Sequence, residues 1–218
     1  MCRGITSLAL YRSMGVHISK PGRIAPDQSS LALLLIDVIN DFAFPEASKL
    51  LRHALPAARK IASLKSRLTV QGVPVIYVND NFGRWRSDFE KQVEHCLKAN
   101  ASGRAITELL RPGPDDYFIL KPKHSGFYST TLDVLLEHLR VKKIVITGFA
   151  TDICVLFTAN DAYMRGLGII VPLDCVASES PEANSCALNQ MKRLLKAQIL
   201  RSSALWVPES SGRKHRKT

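Results

Sequence analysis

A chain of 218 residues has room for one sizeable core and too little for two, and its 46% apolar and 22% charged residues are the make-up of an ordinary globular protein. No apolar stretch approaches the ~20 residues that a membrane helix needs, so no membrane partner is expected. The net charge of +11 suggests nucleic acid until its distribution is read. Eight of the 30 Lys and Arg lie at the two ends (Arg3, Arg12, Lys20, Arg23, Arg213, Lys214, Arg216 and Lys217), leaving 22 against 19 Asp and Glu in the body. That balance makes no basic face, and no nucleic-acid partner is expected.

In chain order, residues 1–26 contain no acid and read as a disordered or flexible basic leader. A transit peptide has a similar composition, while "SLAL" is too short for a secretory core. One domain is expected over 27–208, with a basic flexible tail over 209–218. "LALLLI" (31–36) is near-continuously apolar, as a strand buried on both faces is, and Asp37 follows it. Ile61, Leu64 and Leu68 form a helical stripe that stops at Gly72. "VPVIYV" (73–78) predicts a second strand, followed by Asn79, Asp80 and Asn81. The stretch 79–116, with Gly83, Gly103, Pro112, Gly113 and Pro114, reads as an irregular excursion holding one or two short helices.

"YFIL" (117–120) then leads to Lys121, and Leu132, Leu135, Leu136 and Leu139 mark a helix by their i, i+3, i+4, i+7 spacing. "KIVIT" (143–147) leads through Gly148 to Cys154, "GIIV" (168–171) follows, and Ala187, Met191, Leu194 and Leu195 mark a late helix. Strand alternating with helix predicts an α/β fold of three layers, α/β/α, Rossmann-like, with a parallel sheet and right-handed crossovers. In such sheets ligands bind beyond the carboxyl ends of the strands. Asp37, Lys121 and Cys154 each follow a strand, so an acid, a base and a thiol converge on that edge.

Cys154 falls in the first turn of a helix expected from about Asp152 to Arg165. A helix N-terminus lowers a thiol pKa, and its free N–H groups can hold an oxyanion. A buried core cysteine fits the same position equally well. Taken singly, Asp37 also suits a turn or cap, and Lys121 a solvated strand end. The five cysteines are odd in number and show no CxxC spacing, which argues against a disulfide framework and for a reducing, cytoplasmic setting.

Three blocks, "LLLIDVINDF" (33–42), "LKPKHSGFYSTTLDVLL" (120–136) and "GFATDICVLFTANDAYMRGLGIIVPLDCVAS" (148–178), resemble the isochorismatase-like cysteine hydrolase superfamily. The likeness runs over roughly residues 30 to 200 and is most specific in the cysteine block. It implies a six-stranded parallel sheet and a triad of Asp37, Lys121 and Cys154. In that family the aspartate is the general base on the thiol and the lysine holds charge balance and orientation. The cysteine attacks a carbonyl to give a thioester-type intermediate that water hydrolyses. The resemblance further implies a cis peptide between Phe149 and Ala150, with backbone N–H groups of Ala150 and Cys154 aimed at the oxyanion. It also implies a homo-oligomer, a dimer or tetramer.

Departures from the pattern narrow the chemistry. The nicotinamidase branch holds a metal with an aspartate and histidines after the first and second strands. Here 38–52 and 79–86 contain no histidine, and His53, His95, His124 and His138 show no paired ligand spacing, so neither a metal nor another cofactor is expected. Isochorismatases proper carry glycine in place of Cys154 and cleave an enol ether without a thiol. The cysteine therefore argues for a C–N bond, in an amide or ureido group of a small molecule. For the substrate, Trp85 would stack on a flat group and Arg84 or Arg86 would pair with a carboxylate. Phe42, Asn79, His124 and Phe127 complete the expected substrate contacts. The alternative for each is packing or solvation. Three rival functions stand beside hydrolysis of C–N bonds: an ether hydrolase, an idle binding module, and a redox-sensing thiol for which Cys175 would be the resolving partner.

Overall fold

The computed structural model describes residues 29–83 and 88–205. Strands β1 (Leu31–Ile36), β2 (Val75–Asp80), β3 (Tyr117–Lys121), β4 (Lys143–Phe149), β5 (Gly168–Pro172), β6 (Val176–Ala177) and β7 (Gln198–Leu200) form one sheet. Its order is β3-β2-β1-β4-β5-β7, every described pairing is parallel, and two-residue β6 pairs with the end of β4. From β1 the order runs outward through β2 to β3, and from β4 outward through β5 to β7. The reversal lies between β1 and β4, so the crevice at the carboxyl ends of these two strands is where a ligand is expected.

Side-chain parity explains the three layers. Leu31, Leu33 and Leu35 of β1 face one side and pack under helix α1 (Ala47–Val70) through Leu50, Ala54, Ala58, Ile61, Leu64 and Leu68. Ala32, Leu34 and Ile36 face the other side. There they meet Leu132 and Leu136 of a helix at Leu132–His138, Ala159 and Ala162 of one at Leu156–Met164, and Met191 of one at Pro181–Leu194. Each fully buried leucine is worth about 1.5–3 kcal/mol, so β1, buried along both faces, is the axis of the core. Numbered in chain order, the helices after α1 are α2 (Phe89–Cys96), α3 (Arg104–Leu109), α4 (Leu132–His138), α5 (Leu156–Met164) and α6 (Pro181–Leu194). Ser180 caps α6 by accepting the Ala183 N–H at 3.1 Å, with Pro181 at its first position.

Several boundaries differ from the sequence reading. The second strand starts at Val75 rather than 73, because Pro74 has no N–H to give the ladder, and it continues through Asn79 and Asp80. The fourth runs on to Phe149, and the third includes Lys121 itself. The excursion after β2 holds the two short helices α2 and α3. Gly103 at the start of α3 presses on the loop after β1, where an added Cβ would lie 1.8 Å from the Asn40 carbonyl oxygen. Among the described residues no helix is long and apolar enough to cross a membrane. The expected leader and tail, and Arg84, Trp85 and Arg86, lie outside the described residues.

Candidate active site

Asp37 leaves β1 with φ +51°, a left-handed conformation that costs a non-glycine residue about 1 kcal/mol or more. Its N–H still bonds the Val78 carbonyl at 3.0 Å, so the reversal of direction begins at the carboxylate. Oδ1 accepts the Asp80 N–H at 2.6 Å, and Oδ2 lies 2.9 Å from Lys121 Nζ. Lys121 is fully buried at the end of β3, and its ammonium also stands 3.6 Å from Asp80 Oδ2 and 3.6 Å from Cys154 Sγ. The Asp37 carboxyl is within hydrogen-bonding reach of the same thiol. Asp37, Lys121 and Cys154, from three strand ends, thus meet in one cluster.

Electrostatics set the resting protonation. Burial raises the Asp37 carboxyl above the usual carboxylate range, against the pull of Lys121. Burial alone would lower the Lys121 ammonium, but partners led by Asp37 hold it above the ordinary lysine value. The Cys154 thiol is pushed up by burial first and the Asp37 charge second, with Lys121 only partly offsetting them. This reverses the expectation of a thiol acidified by a helix N-terminus. The turn that carries it, Thr151–Val155, is also π-helical, and α5 starts only at Leu156. Lys121 and Asp37 thus pair at 2.9 Å beside a thiol that burial makes harder to ionise.

The turn is held from below and behind. Gly148, with φ +111°, lies so close to β1 that a Cβ there would stand 2.0 Å from the Ile36 carbonyl oxygen. Only glycine lets the two strands that lead to Asp37 and Cys154 approach this closely. The Phe149–Ala150 peptide bond is cis. Beyond it, Thr151 Oγ1 donates to Asn184 Oδ1 of α6 at 2.5 Å, and Ser178 Oγ donates to Asp152 Oδ1 at 2.5 Å.

The remaining expected residues are placed as follows. His124 Nδ1 lies 3.9 Å from Cys154 Sγ, and its exposed ring packs on Phe157 with centroids 5.5 Å apart. Phe127 is buried under the Arg165 guanidinium, 4.5 Å above its ring. Phe42 is buried against Phe44 and Phe149. Asn79 is fully buried, and its amide donates to the Ile39 carbonyl at 2.7 Å, tying β2 to the loop after β1. Cys175 is buried with its sulfur toward Asp174. Among the described residues no three metal-binding side chains cluster.

Two features escaped the sequence reading. Ile153 and Phe157, on either side of Cys154, expose apolar surface at the rim. Asp80 joins the charge cluster, and register could have found it: it pairs directly with Lys121, so the two side chains share a sheet face.

Comparison with known proteins shows the family. The family model for the isochorismatase domain matches residues 31–203. An uncharacterised isochorismatase family protein of Bacillus subtilis, YaaI, is 44% identical over 168 residues, covering 77% of this chain and 92% of that protein. The ureidoacrylate amidohydrolase RutB of Methylobacterium radiotolerans is 29% identical, covering 76% and 74%. The crystal structure of N-carbamoylsarcosine amidase from Thermoplasma acidophilum superposes with a TM-score of 0.62 at 29% identity, covering 82% of this chain and all of that one. With its domain matched almost end to end, this chain belongs to the isochorismatase family.

Proposed function

We propose that the chain is a cysteine-dependent hydrolase of a small-molecule C–N bond, in an amide or ureido group. The observation that carries this is the Lys121 ammonium, which reaches the Asp37 carboxylate at 2.9 Å and the Cys154 sulfur at 3.6 Å. Likeness to a ureidoacrylate amidohydrolase and an N-carbamoylsarcosine amidase supports the bond class. Having a thiol favours it over ether cleavage.

The Cys154 proton moves to Asp37 as the sulfur attacks the carbonyl carbon, so charge passes from carboxylate to sulfur beside an unchanged Lys121 cation. Backbone N–H groups at Ala150 and Cys154 receive the oxyanion, each worth about 3 kcal/mol where such donors have been removed. Collapse expels the amine, which takes its proton from Asp37 and leaves a thioester-type adduct on Cys154. Water, deprotonated by Asp37, then attacks the adduct, the C–S bond breaks to release the acid, and the sulfur takes its proton back from Asp37. Because burial holds the thiol pKa up, the first step needs a base, and Asp37 fills that role in this reading. His124 and Phe157 form the outer wall. The free thiols of Cys96, Cys154, Cys175 and Cys186 support a cytoplasmic setting, and the exposed Phe157, Tyr163 and Met164 support a homo-oligomer. Ammonia release from a panel of carboxamides and ureides tests the reading. Release that is lost in Cys154→Ser supports it, and silence across the panel speaks against it.

A further inference from the structure

Lys121 faces more negative charge than pairing with Asp37 requires. Asp80 ends β2 directly opposite Lys121, and its carboxylate lies 3.6 Å from the ammonium. Its backbone N–H donates to Asp37 Oδ1 at 2.6 Å, so one residue touches the base through its main chain and the lysine through its side chain. Asp80 Oδ1 accepts the Phe82 N–H at 2.6 Å, which fixes how the carboxylate is turned. With 27% of its side chain exposed, it is neither a freely solvated acid nor a sealed strut. Among the described residues, the charged and titratable groups facing Lys121 are Asp37, Asp80 and Cys154, with His124 beyond the sulfur.

We propose that Asp80 is a positioning residue, which shares Lys121 with Asp37 and keeps the ammonium in place while Asp37 carries the thiol proton. The inference rests on the hydrolase reading above. In the resting site the ammonium has two carboxylate partners. When the proton leaves Cys154, the S–H electron pair stays on sulfur, the proton sits on an Asp37 oxygen, and Lys121 keeps all its protons. Asp37 is then neutral and its hold on the ammonium falls. With no second carboxylate, Lys121 would turn wholly to the thiolate and blunt its attack. Asp80 takes no part in the proton transfer and retains its share.

The same contact strengthens the base. Two carboxylates on one nitrogen repel each other, and an ammonium shared between them neutralises Asp37 less than one held alone. Both effects make Asp37 more willing to take the proton.

Asp80→Asn keeps the shape and the backbone N–H but removes the charge, while Asp80→Glu keeps the charge. Asp80→Asn is expected to lower kcat about 10- to 100-fold with KM changed by about twofold at most, and Asp80→Glu to recover most of the loss. Removing the like charge also moves the acid limb of the kcat/KM pH profile down by about one unit in Asp80→Asn and not in Asp80→Glu. A merely structural role would lower the melting temperature and leave that limb where it was. A substrate-free arm follows the Asp37 carboxyl by 13C NMR titration, assigned with Asp37→Asn. Its midpoint should fall in Asp80→Asn. An unmoved midpoint, or a kcat within about twofold of the parent, overturns the proposal. If the parent enzyme hydrolyses no amide or ureide, the hydrolase reading fails, and the NMR midpoint alone decides on Asp80.

Discussion

The Lys121 ammonium stands 2.9 Å from the Asp37 carboxylate and has no solvent exposure of its own. Removing one member of such a pair costs more than the pair is worth, because the survivor is left charged and without water. Lys121→Ala is expected to lower the unfolding free energy by about 3–5 kcal/mol and to abolish turnover. Lys121→Met combined with Asp37→Asn should regain much of the stability and none of the turnover. Urea unfolding beside an activity assay separates the two effects.

The thiol makes a prediction with a definite sign. Burial and the Asp37 charge hold Cys154 protonated, so its alkylation by iodoacetamide should climb as pH rises through the alkaline range, with no plateau near neutrality. Exposed Cys186 should label first at neutral pH. Asp37→Asn removes the second-largest cause of the raised pKa, so Cys154 should label faster while turnover disappears. Peptide mass spectrometry over a pH series reads all three.

Asp37 must be ionised to take the thiol proton. Burial raises its carboxyl above the usual range, so kcat/KM should already fall as pH drops through that raised value, before ordinary carboxylates titrate. Activity held flat down to the pH of an exposed aspartate would place the base elsewhere.

Gly148 sets how closely the two site-bearing strands approach. Gly148→Ala would put a methyl group 2.0 Å from the Ile36 carbonyl oxygen, in a backbone conformation that L side chains avoid. The strands must part, and a loss of about 3 kcal/mol or more is expected. Turnover should fall as well, since Asp37 and Cys154 lie just beyond the spread. Thermal unfolding and the ammonia assay check this pair of outcomes.

Most of the architecture was legible because it rests on local pattern. Continuous apolar runs marked β1, β4 and β5, and the stripe ending at Gly72 marked α1. "QIL" of β7 was not, being three residues long and only partly covered. The second strand was misplaced by two residues because Pro74 is apolar in pattern but has no N–H to give the ladder. The convergence of Asp37, Lys121 and Cys154 followed from strand ends alone. Their energetics did not, because helix position is visible in sequence while burial and a carboxylate from another strand are not. Asp80 was hidden for a related reason. Its meaning depends on the register of β2 with β3, which sets its side chain beside Lys121 and leaves Asn79, one residue earlier, tied to Ile39.

Whether Cys154 becomes covalently bonded to substrate tests the account most directly. The measurement is rapid acid quenching during turnover of a hydrolysed carboxamide or ureide, followed by mass spectrometry of the peptide that contains Cys154. The account predicts an acyl or carbamoyl adduct on that sulfur, absent from Cys154→Ser and from Asp37→Asn, in which the thiol is not deprotonated. Hydrolysis that continues in Cys154→Ala, with no adduct at any time point, would contradict it.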